Sequence, residues 1–104
     1  MAVEIIITRK IVAEKAQEIA PLMVKLRSLA QVQPGYMSSE SLRRIDPPGQ
    51  DEYLIRSTWK SEQDWNQWRH STDRAVIQAK IDAITGVDTE YRVYEPLIGG
   101  IIPK

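Results

Sequence analysis

Three tryptophans, two arginines and a glutamine supply the side chains best suited to holding a flat, oxygenated ring. Trp59, Trp65 and Trp68 are the only tryptophans and fall within ten residues. Trp65 and Trp68, three apart, share one face of a helix. Large flat apolar surface is thus concentrated where a strand ending at Trp59 meets that helix, a natural wall for a small aromatic ligand. Trp59 itself reads as core packing. Gln78 adjoins the apolar stripe of Ile77, Ile81 and Ile84, and Arg74 lies one turn earlier on the same side. A polar group there either hydrogen-bonds backbone or lines a pocket, and both readings stand. Arg56 interrupts a strand and cannot sit uncompensated against a core. It pairs with a carboxylate at a subunit face, or it holds a phenolate. Tyr36 and Thr8 complete the pocket candidates.

His70 is the single histidine, and its titration range invites a general-base role. At about 100° per residue, a continuous helix turns it almost opposite to the midpoint of Trp65 and Trp68. The expected position is solvent; only a break near Ser71 swings it inward. No carboxylate pair or His/Asp/Glu cluster has metal spacing, and no Gly-rich loop could cradle phosphate. The chain has no cysteine, which excludes disulfides, thiolate catalysis and Cys-ligated metal. Net charge is zero and the basic residues are scattered, against a nucleic-acid or membrane partner. The start lacks a basic region and meets Glu4 early, unlike a signal peptide. No apolar run approaches the ~20 residues of a membrane span. A cytoplasmic location is the expectation.

At 104 residues the chain makes one domain. Val3 to Arg9 reads as a strand apolar on both faces, which needs cover on each side of its sheet. Glu14 to Ala30 has helical spacing in Ile19, Leu22, Met23, Leu26 and Leu29, with a kink or a late start expected at Pro21. Gln33-Pro34-Gly35 makes a turn. Strands follow at 36–45 and 52–59, joined by the proline-bearing loop 46–51. Ser61 reads as an N-cap with Asp64 three residues on. Ser71 recaps a second helical piece that Gly86 closes, and 87–95 is the last strand. The order β-α-β-β-α-β is the split βαβ of a ferredoxin-like α+β domain, an antiparallel four-stranded sheet with helices on one face. The other face, and the tail residues Leu97, Ile98, Ile101 and Ile102, then call for a second subunit, making a homodimer.

The chain resembles the antibiotic-biosynthesis-monooxygenase-like family of dimeric α/β barrels. The resemblance spans nearly all of it. It is carried by Gln33-Pro34-Gly35-Tyr36, by Leu42-Arg43-Arg44 to Asp46, and by Ser57-Thr58-Trp59-Lys60-Ser61 before the helix bearing Trp65 and Trp68. It implies a cofactor-independent monooxygenase acting on a small aromatic quinol or anthrone-like substrate. Trp68 would pack the ring in the catalytic site, and Arg56, Arg74 or Gln78 would hold its oxygens. A non-catalytic ligand-binding or stress-response dimer is the competing reading, since no base, metal site or cofactor motif is evident. The family also includes haem-degrading members, which use an asparagine near the end of strand one, a helical tryptophan and a histidine ten residues later. Here those positions hold Thr8, Trp68 and Gln78. Glutamine is a poor substitute for an imidazole ligand to haem iron. Haem incubated with the protein, a reductant and catalase is therefore expected to survive intact; a bilin-like product in the absorption spectrum would contradict this.

Overall fold

Alternation along the first strand decides what faces the site. The computed structural model describes residues 1–102. Strand β1 (Val3–Lys10) buries Val3, Ile5, Ile7 and Arg9 and leaves Glu4, Ile6 and Thr8 half-buried on its other face. Arg9 sits in phase with the isoleucines, so a charged residue goes into the core side of the sheet. Helix α1 (Ala13–Ala30) follows and buries Ile19 and Leu26. Pro21 lies inside it, exposed, without delaying its start.

Strands β2 (Tyr36–Arg43) and β3 (Glu52–Trp59) form a hairpin. Helix α2 (Glu62–Arg69) starts at the Ser61 N-cap, and α3 (Thr72–Thr85) at the Ser71 N-cap. Gly86 ends α3 in the left-handed conformation at φ 69°. Strand β4 (Glu90–Tyr94) begins later than its apolar start at Val87 suggests. The antiparallel sheet runs β2-β3-β1-β4. This is the α+β, ferredoxin-like arrangement expected from the element order, with the helices on one face. The second face carries Ile6, Leu42 and Leu54 among Glu4, Glu40, Arg56 and Arg92, as the register and the alternation require. Leu97, Ile98, Ile101 and Ile102 of the tail are exposed; Pro103 and Lys104 lie outside the described residues. Among the described residues, no helix is long and apolar enough to cross a membrane.

Two local devices fix the strand ends. In β2 the register against β3 shifts between Tyr36 and Ser38. This bulge lets Tyr36, Ser39 and Ser41 all face the helices, although strict alternation would send Tyr36 the other way. At the turn before β2, Gly35 has φ +84° and lies against Asp64 of α2. The Lys60 N–H donates to the Gly35 carbonyl at 2.7 Å. Asp64 is itself tied to the helix cap: its N–H donates to Ser61 Oγ at 3.1 Å, and the Ser61 hydroxyl donates to Asp64 Oδ2 at 2.9 Å. A Cβ at Gly35 would collide with the Asp64 carboxylate and would be strained by the positive φ. Gly35→Ala is expected to cost about 1–3 kcal/mol in urea unfolding. Adding Asp64→Ala should recover little, because the Asp64 Cβ that alanine keeps would itself stand 2.5 Å from the added carbon; full recovery in the double variant, or no loss in Gly35→Ala, would contradict this account.

Candidate functional site

A cavity of about 160 Å³ lies between the inner face of the sheet and the helices. Its inner end is made by buried Arg9, Trp65, Trp68 and Arg74. Val24 and Arg27 of α1 and Ser41 of β2 also line it, and these three are exposed, so the mouth lies between α1 and β2. The walls are aromatic. Tyr36 meets Trp59 edge-on with ring centroids 5.5 Å apart, Trp59 lies 5.8 Å from Trp65, and Trp65 lies 6.2 Å from Tyr91. Such tilted contacts fix the rings against one another and leave their faces to a ligand. The bulge in β2 places the Tyr36 hydroxyl 2.7 Å from Ser39 Oγ at the cavity edge. The Trp59 indole N–H donates to Ser57 Oγ at 3.1 Å.

Two guanidinium groups meet at the inner end. Arg9 Nη2 donates to Gln78 Oε1 at 2.8 Å, and Arg74 Nη2 reaches the same oxygen at 3.4 Å. Arg74 also donates to the Tyr91 hydroxyl at 2.9 Å and lies over the Tyr91 and Trp65 rings. Gln78 Nε2 donates to Asp82 Oδ1 at 2.8 Å and to Thr89 Oγ1 at 2.9 Å. Among the described residues no carboxylate is ion-paired with Arg9 or Arg74. Burial, reinforced by the charge of Arg74 and opposed by Tyr91 and Asp82, pushes Arg9 down from the usual guanidinium range to about 10. It is still a cation at neutral pH. The depressed value means that holding this charge costs folding free energy until the pH rises past about 10.

The structure brings Tyr36, Trp65, Trp68 and Arg74 together around the cavity. Gln78 is buried beside it and spends its amide on the two arginines, Asp82 and Thr89 rather than on the cavity wall. Thr8 and Arg56 need correction as pocket candidates, because strand alternation puts both on the opposite face of the sheet. Thr8 is opposite Leu54, and Arg56 opposite Ile6. Arg56 is ion-paired with Glu40 and lies 3.9 Å from Glu4. His70 caps the end of α2, exposed, with Nδ1 2.9 Å from the Asn66 carbonyl. Arg9 escaped the sequence reading altogether. The signal was its phase: position 9 continues the series 3, 5, 7. Among the described residues there is no His/Cys/Asp/Glu group that could hold a metal ion.

The chain is thus a ferredoxin-like α+β domain with an aromatic cavity between its sheet and helices. The family profile of antibiotic biosynthesis monooxygenases matches residues 2–80, and the chain belongs to that family. Solved structures share the fold at low identity. A conserved protein from Methanosarcina mazei is 19% identical, with 90% of this chain and 91% of that one covered and a TM-score of 0.79. SnoaB, a cofactor-independent oxygenase from Streptomyces nogalater, is 13% identical, with 99% and 97% covered and a TM-score of 0.75. A Mycobacterium tuberculosis protein, Rv0793, is 14% identical, with 93% and 96% covered and a TM-score of 0.79. No curated protein matches in sequence.

Proposed function

We propose that this protein is a monooxygenase that oxidises a small aromatic quinol with dioxygen and no cofactor. The observation that carries the reading is the tryptophan-walled cavity with cationic groups at its closed end. Membership of the monooxygenase family and the structural likeness to SnoaB support it. In this reaction an ionised hydroquinone gives an electron to dioxygen, and the radical pair joins as a ring peroxide. Loss of water then leaves the hydroxyquinone. One oxygen atom enters the product, the other leaves as water, and all four electrons come from the substrate. No external reductant is required. The protein's task is to exclude water, stack the ring and favour its anion. Trp68 and Trp65 supply the stacking surface, and Arg9 and Arg74 bring positive charge to the closed end. The size of the cavity suits one ring, since a hole of roughly 150 Å³ accepts benzene. A three-ring anthrone would protrude between α1 and β2.

Among the described residues, the cavity lining holds no carboxylate and no histidine. That observation favours a second reading, a binding or stress-response module with the same pocket and no turnover. Oxygen uptake with a panel of quinols separates the two. Consumption matched by hydroxyquinone supports the oxygenase; ring binding without consumption supports the module. In either case Trp68→Ala should weaken ring binding by about 1–3 kcal/mol, and His70→Ala should leave it unchanged. Intact affinity in the Trp68 variant removes this site assignment, while a large loss in the His70 variant restores the histidine as a candidate.

The functional unit is a homodimer on this reading. Ile6, Leu42 and Leu54 on the helix-free face, with the exposed apolar tail, give a surface a second copy would cover. A stable interface of this kind buries on the order of 2,000 Å². Light scattering at micromolar concentration should give twice the chain mass; the mass of one chain would refute it.

A further inference from the structure

Building on the reading of the cavity as a ring-binding site, we infer that its ligand binds as an anion: a single aromatic ring with a carboxylate or ionised hydroxyl, selected by Arg9. The cavity carries an imbalance of hydrogen-bonding groups. Among the described residues, the buried side-chain nitrogens and oxygens without a partner in the protein are Arg9 Nε, Arg9 Nη1 and Trp65 Nε1. All three are donors, and both residues line the same cavity. The matching ligand group offers only acceptors. A carboxylate or phenolate does so, whereas an amide or neutral phenol also brings a donor that must find its own partner.

Charge points the same way. Arg9 is 3% exposed and Arg74 4%, and neither has a carboxylate partner among the described residues. Asp82 is one step removed, engaged by the Gln78 amide. A buried cation without its counter-charge is unfavourable, and an anion in the cavity offsets that cost. A charge-assisted contact to a guanidinium is also stronger than a neutral one. Arg74 already has its aromatic and hydroxyl partners. Arg9, with one nitrogen engaged and two without partners, is the residue left to recognise the ligand.

A purely structural Arg9 and a ligand-selecting Arg9 predict opposite results for Arg9→Met. Gln78 Oε1 would still accept from Arg74 in the variant, so no buried acceptor is orphaned. The variant should melt no lower than the native protein and should lose anion selectivity. Calorimetric titration of the native protein with benzoate and benzamide, a matched pair differing in charge, tests the selectivity. Absorbance of added 4-nitrophenol reports whether an ionisable hydroxyl is held as its phenolate. A preference for benzoate of about tenfold or more, lost in Arg9→Met, supports a carboxylate ligand. Absence of that preference, with 4-nitrophenol bound as phenolate, supports an ionised hydroxyl instead. Equal binding of benzoate and benzamide with neutral 4-nitrophenol overturns the anion inference and leaves the ring pocket standing. Failure of every ring to bind the native protein overturns both. Benzoate selectivity that persists in Arg9→Met overturns the role of Arg9. If that variant does not fold, the native-protein titrations still decide whether the ligand is an anion, and the neutral Arg9→Gln replaces it in the selectivity comparison.

Discussion

One amide governs the closed end of this molecule. Gln78 accepts from both buried guanidinium groups through one oxygen and donates to Asp82 and Thr89 through its nitrogen. It therefore ties β1, α3 and the segment before β4 to a single side chain. An amide suits the place because it has a neutral acceptor on one side and donors on the other. A carboxylate there would neutralise one cation inside the protein. The glutamine leaves both positive charges uncancelled by a direct partner while holding them in place.

That arrangement explains why the site contains so little conventional catalytic machinery. The aromatic walls, the depressed Arg9 and the narrow cavity together shape an environment rather than deliver a base or a metal. Reactions whose difficult step is the transfer of an electron from an ionised ring need such an environment more than they need a proton acceptor.

Much of the fold was legible because periodicity and caps are local. Ser61 and Ser71 start helices, Gly86 ends one, and Trp65 and Trp68 share the inward face. Tyr36 and Arg74 were legible as pocket residues, Tyr36 only because a bulge turns it inward. Arg9 was not legible, since a charged residue near a strand end ordinarily reads as the solvated end, and a strand apolar on both faces hides its phase. Of the two readings open for Arg56, pairing with a carboxylate is the one found, and the phenolate-holding reading fails on strand parity. Trp59 and Ser57 are buried, so position 56 must face away, and its charge distracted from that parity. Thr8 follows the same rule against Ile7 and Arg9. The role of Gln78 depends on contacts 69 residues away, which no local pattern contains.

The alternation of β1 has an evolutionary consequence. Odd positions from Val3 to Arg9 belong to the buried side of the sheet, where Ile7 and Arg9 line the cavity, and even positions from Glu4 to Thr8 belong to its other face. Two properties are thus written in one stretch of chain as interleaved messages. Point substitutions can revise either message separately, whereas inserting or deleting one residue would scramble both. Diversification along this strand is free to proceed by replacement and is closed to changes in length.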